Sequence, residues 1–112
     1  MRYTYILDGI PGETSKVASD DTEAALADSI VKSSGEVAFA LLITCEGNDV
    51  RFSLGGGTLT QGAAGTGVGH ILYSEQSVKI EGSKNVTSLK HVNAVNGSDG
   101  YLQITPYFEK AV

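Results

Sequence analysis

The sequence predicts a mainly β domain: an antiparallel β-sandwich or jelly roll with one short helix near the N-terminus. Beyond residue 35, apolar residues recur at alternate positions in short runs. Turn signals separate these runs at the intervals of an all-β sandwich. Only residues 21–32 carry helical spacing. With 112 residues the chain fits one domain, residues 1–112, in which 1–35 form an N-terminal arm with the short helix and 36–108 form the strand core.

In the helix segment, Asp20 is placed to cap and Glu23 to reach back as a capping-box partner. Leu26, Ala27, Ile30 and Val31 make one apolar stripe, Lys32 suits the C-terminal dipole, and Gly35 stops the chain. Three such turns need a sheet to lie against, and an irregular loop with one helical turn is the competing reading.

Residues 37–45 are apolar on both alternating faces, which predicts a central strand covered on both sides, with a neighbouring subunit as one possible cover. Glu46, Gly47, Asn48 and Asp49 form a turn. Val50, Phe52 and Leu54 alternate with Arg51 and Ser53, so a half-buried strand is expected to pair with the preceding one as a hairpin. Residues 55–69 hold seven of the 14 glycines and little else that buries, so they read as a flexible surface loop.

Strand character resumes at His70-Ile71-Leu72-Tyr73, and Val78 and Ile80 continue it after a corner. Residues 86–95 read as a strand whose alternation slips near Val92, the mark of a bulge. Asn96-Gly97 is a tight-turn signal. In the last strand, 101–108, Leu102 and Ile104 point one way and Tyr101, Gln103 and Thr105 the other, while Pro106 argues for an edge position.

Charge and composition exclude several functions. The chain is 41% hydrophobic and 19% charged, which is globular. Its net charge of −5 disfavours nucleic acid. The longest apolar run, residues 37–43, is too short to span a bilayer, and no secretory pattern is present, so a soluble protein assembled in the cytoplasm is expected, with no membrane partner. A single cysteine, Cys45, rules out an internal disulfide and a four-cysteine zinc site.

No catalytic set is recognisable, and neither an enzymatic role nor a cofactor is expected. Gly65-Thr66-Gly67-Val68-Gly69 superficially resembles a phosphate loop but runs into a strand instead of opening a helix. His70 and His91 do not form a ligand pair; His91 is in phase with Leu89 and reads as buried or at an interface, and Cys45 as a small core hydrophobe. Asn85-Val86-Thr87 and Asn96-Gly97-Ser98 match the glycosylation pattern but read as turn chemistry. What remains is surface for association. The places singled out for intersubunit contact are the arm at Tyr3 and Tyr5, the glycine-rich loop at Gly56, Thr60 and Gly65, and the C-terminal Tyr107 and Phe108.

The segment Ala40-Leu41-Leu42-Ile43-Thr44-Cys45-Glu46-Gly47-Asn48-Asp49-Val50-Arg51-Phe52-Ser53-Leu54-Gly55-Gly56 resembles small β-structured virion proteins of tailed bacteriophages and prophages. The same resemblance runs through Val68-Gly69-His70-Ile71-Leu72-Tyr73, Ser77-Val78-Lys79-Ile80-Glu81, Asn85-Val86 and Leu102-Gln103-Ile104-Thr105-Pro106-Tyr107-Phe108. It covers about residues 37–108. The resemblance implies a non-enzymatic structural role on the particle, as a capsid decoration or cement protein that binds the outer capsid surface and strengthens the shell. It implies a homotrimer with the major capsid protein as partner, and carries no catalytic residues. A neck, tail or fibre component, a carbohydrate-binding module, and a small cupin-like enzyme using His70 or His91 for metal are the alternatives.

Overall fold

The computed structural model describes residues 9–109. Tyr3 and Tyr5 lie outside them. In chain order the elements are β1 (Ile10–Pro11), β2 (Ser15–Ser19), β3 (Ala24–Ala25), α1 (Asp28–Val31), β4 (Lys32–Ser33), β5 (Glu36–Val37), β6 (Ala40–Gly47), β7 (Val50–Ser53), β8 (His70–Leu72), β9 (Ser77–Glu81), α2 (Ser83–Ser88), β10 (Lys90–Asn93) and β11 (Gly100–Phe108).

The chain is mainly β, and all its strand pairs are antiparallel. One sheet runs β1-β11-β6-β9, with β2 also on β11; a second runs β3-β10-β7-β8; β4 and β5 form a small ribbon. Leu41, Ile43 and Cys45 of β6 and Leu102 and Ile104 of β11 are buried with Val50 and Leu72 of the second sheet, so both sheets feed one core. Alternation along β11 is as expected: Leu102 and Ile104 are buried, while Tyr101, Gln103 and Thr105 are half-buried.

Several expectations are corrected. β6 and β7 do not form a hairpin, because β6 has no free edge to offer. β11 occupies one side along its whole length, and β9 occupies the other. At Cys45 the β9 side is continued by two main-chain bonds, Cys45 N to Gln76 O and Glu75 N to Cys45 O. Gly47, at φ +76°, turns the chain out of this sheet, and β7 joins the other one between β10 and β8.

Nor is Pro106 at an edge, since β11 lies between β6 and the N-terminal strands. The Pro106 carbonyl accepts from Gly12 N at 2.8 Å, so its missing N–H faces the same side. On that side Pro106 stands opposite Gly12, in the gap between β1 and β2, so the only ladder bond it forgoes is the return bond to the Gly12 carbonyl.

Within residues 9–35, β2 pairs with β11 over five residues, and β3 pairs with β10. Capture of Ala24 and Ala25 by the edge of β10 limits the expected helix to the single turn of α1, the competing reading. Asp20 accepts from Thr22 N in a local turn instead of capping, and Glu23 pairs with Lys90 at 3.2 Å.

The strand expected over residues 86–95 is instead helix α2 followed by β10. Val86 and Leu89, three apart, are both buried, which is helical spacing and explains the slip in alternation. Asn85 belongs to this helix, where its side-chain amide donates to Glu81 O at 2.8 Å.

Candidate functional site

The chemistry at the Gly47 end of β6 begins with Arg51. In β7 it alternates with core residues, and sequence pattern places it on the solvent side; it is nevertheless only 3% exposed. The glycine-rich segment folds back over it. Arg51 Nε donates to Gly62 O at 2.7 Å, Nη2 to Ala63 O at 2.7 Å and Nη1 to Gly69 O at 2.6 Å. Thr60 and Val68 close the neck of the loop with Thr60 N to Val68 O at 3.0 Å and Val68 N to Thr60 Oγ1 at 2.9 Å. A Cβ at residue 67 would stand 2.5 Å from Arg51 Nε and 2.8 Å from Thr60 O, so glycine is needed there for close approach. The expected flexible loop therefore has a fixed centre: a cation surrounded by main-chain carbonyls of its own chain.

The loop is tied to its neighbours. Gly62 N bonds Ala94 O, Ala94 N bonds Asp49 O, and Asp49 Oδ1 accepts from Ser74 N. Asn48 Nδ2 reaches Asp99 O at 2.9 Å. Buried Asn93 donates to Asp21 Oδ1 at 2.8 Å and accepts from Gln61 Nε2. Asp21 Oδ1 also takes the main-chain N–H of Gly97 at 2.7 Å. Hydrogen bonds from Asn93 and then Gly97 hold the Asp21 carboxyl below the usual carboxylate range.

These bonds join the β6–β7 corner, the loop at 60–69, the turns at 73–76 and 95–98, and residues 20–21 into one platform. Val68, Tyr73 and Val95 stand about half exposed on it. Asp20, Asp21, Asp49 and Asp99 give the same end an acidic character.

The nucleophilic and metal-binding residue types lie elsewhere or inside. Cys45 is buried, and burial, then the charge of Asp49, push its thiol up to about 11. His91 is buried, with Nδ1 2.9 Å from Ser19 Oγ, and burial lowers its pKa against the opposing pull of Asp20. His70 is exposed and stacks at a tilt on Phe52, 5.3 Å between ring centres. The two histidines flank Phe52 at one register, two strand spacings or roughly 10 Å apart. Among the described residues, no three His, Cys, Asp or Glu side chains converge as a metal-binding group, and no helix is long and apolar enough to cross a membrane.

The sequence-predicted contact residues fall in two places. Gly56, Thr60 and Gly65 are exposed around the glycine-rich loop, and nothing lies within 4 Å of a Cβ built on Gly56 or Gly65. Tyr107 and Phe108 lie at the far end of β11, roughly 26 Å of extended strand away from Gly100. Tyr107 is buried and Phe108 packs on the core, so both rings serve this chain's own interior. Arg51, Asn93 and Asp21, which hold the platform together, carry no sequence signal beyond being polar residues beside strands and turns.

The chain matches no protein-family model, no curated protein and no solved structure.

Proposed function

We propose that this chain is a non-enzymatic structural protein of a tailed-phage virion, a decoration or cement protein that binds the outer capsid surface and stabilises the shell as a trimer. In this reading the two sheets stack as a sandwich and the loop platform is the face that meets the major capsid protein. The observation that carries the reading is that platform: loops fixed internally by Arg51 and Asn93, with Val68, Tyr73 and Val95 outward. A fixed loop forfeits little conformational entropy when it binds. Weak contacts repeated by symmetry then add through avidity to a tight coat. The acidic rim favours a partner surface bearing Lys and Arg, and is unfavourable for packaged DNA.

Quantitative mass spectrometry of purified particles tests this. Copies in simple proportion to the major capsid protein are expected. A handful of copies moves the protein to the neck, tail or fibre, and absence from particles overturns the virion reading. Exposed Tyr73 beside Ser74 and Asp49 favours a carbohydrate-binding module as the second reading, which a glycan array checks directly.

A further inference from the structure

We propose that Asn96-Gly97 is a guarded self-modification site, at which Asp21 holds back deamidation for as long as residues 20–21 stay docked. This inference is independent of what the platform binds. Asn-Gly is the dipeptide least hindered for succinimide formation, because no side chain on the second residue shields its nitrogen. In that reaction the Gly97 nitrogen gives up its proton to solvent base and attacks Asn96 Cγ. The bond from Cγ to the amide nitrogen breaks, and that nitrogen leaves as ammonia after taking a proton from water. Water then opens the ring at either carbonyl to give aspartate or isoaspartate. The net change consumes one water and releases one ammonia, and no oxidant or cofactor is involved.

Asn96 is exposed in a tight turn closed by Ser98 N to Val95 O at 3.0 Å, so water reaches it freely. The nucleophile does not have the same freedom. Gly97 N–H points at Asp21 Oδ1, 2.7 Å away. This bond favours the protonated nitrogen, and the carboxylate charge opposes an amide anion beside it. The leaving group is held by the same carboxylate: with its nitrogen turned toward Asp21, the Asn96 amide donates to both oxygens, at 3.0 and 3.2 Å. Asp21 itself is anchored through buried Asn93.

Residues 20–21 link β2 to β3, so displacement of either strand removes the guard. Modification then works against its return. The new carboxylate at residue 96 faces Asp21, with Asp99 close to the shared Asn93 amide. Isoaspartate also lengthens the main chain inside the tight turn. Undocking followed by deamidation is therefore a one-way change.

The test incubates native protein, urea-unfolded protein and folded Asp21→Ala at mildly alkaline pH, with peptide mass spectrometry following the replacement of –NH2 by –OH at Asn96. The native protein is expected to react at least about tenfold more slowly than the unfolded chain, and Asp21→Ala to approach the unfolded rate with its circular dichroism unchanged. Native protein reacting as fast as the unfolded chain overturns the proposal. So does a folded Asp21→Ala that stays as slow as the wild type. Hydrogen exchange at Gly97 in the wild type needs no variant: protection is expected, and exchange at the unfolded rate overturns the guard.

Discussion

Ser19 Oγ and His91 Nδ1, 2.9 Å apart, join the last residue of β2 to β10 and so link the two sheets by a buried side-chain bond. His91 Nε2 has no partner among the described residues. The less costly tautomer donates from Nδ1 to Ser19 and leaves Nε2 as a bare acceptor, since an unmet donor is the rarer feature of protein interiors. Protonation puts a charge and a second donor into that interior.

A pH dependence follows from this pair. Burial lowers the His91 pKa in the folded state, so below about pH 6.5 the unfolded chain takes up a proton that the folded chain refuses. The His91 contribution is full above that pH and declines as pH falls toward the folded value, at up to about 1.4 kcal/mol per pH unit. Asp20 opposes the shift, and Lys90, the neighbour of His91 on β10, is paired with Glu23. Urea melts between pH 7 and 5 are expected to show this loss in the wild type and a flatter profile in His91→Gln.

Arg51 supplies a second prediction. Arg51→Met keeps much of the buried stem and removes three charged donors from Gly62, Ala63 and Gly69. Hydrogen bonds of this kind contribute about 1.5–3 kcal/mol each when both partners stay buried, but the loop carbonyls regain water once the loop lifts. A loss of about 2–4 kcal/mol is expected in urea melts. Limited proteolysis supplies the local readout, with new cleavage within residues 60–69. Arg51→Lys is expected to resemble Arg51→Met, because an ammonium cannot reproduce the planar fork that reaches three carbonyls.

The sequence displays what periodicity controls and conceals what pairing controls. Leu102 and Ile104 in β11, and Leu41, Ile43 and Cys45 in β6, are legible because each sits on one buried face of a long strand. The β6–β7 corner is not, since Val50 and Phe52 alternate equally well in a hairpin or in a second sheet. Only the occupation of both edges of β6 decides between them. The helix at Val86 hides for a related reason: Val86, Leu89 and Val92 suit a bulged strand as well as a helix followed by a strand. The platform was half visible. Glycines mark where the loop is, but a lone Arg51 in an alternating strand gives no sign that the loop will cover it.

Cys45 provides a chemical check on the core. The thiol is buried, its pKa is pushed up to about 11, and Sγ donates to Asn48 O at 3.3 Å. Attack on a disulfide reagent needs an accessible thiolate. At pH 8 the native protein is expected to leave such a reagent unreacted over the time in which urea-unfolded protein reacts fully. Rapid labelling of the native protein would mean that the β6–β7 corner opens readily.

Gly100 is the one glycine of β11, and its constraint is space, not φ. A Cβ there would lie 2.4 Å from Asn48 O and 2.6 Å from Val50 Cγ2. Neither neighbour yields easily: the carbonyl belongs to the corner that carries the chain between sheets, and Val50 is fully buried. Gly100 also pairs with Gly47 on one side and Ser19 on the other, so a shift of β11 disturbs both flanking strands. Gly100→Ala is therefore expected to destabilise by about 1–3 kcal/mol through overpacking. Gly55→Ala makes the contrasting control. Nothing lies within 4 Å of its Cβ, but its φ of +73° makes an L side chain strained, so its smaller cost comes from the backbone alone. Thermal melts give the size of each loss, and hydrogen exchange separates the causes, because only Gly100→Ala is expected to raise exchange at Gly47 and Val50. Equal exchange in both variants would mean that the corner accommodates the added methyl group.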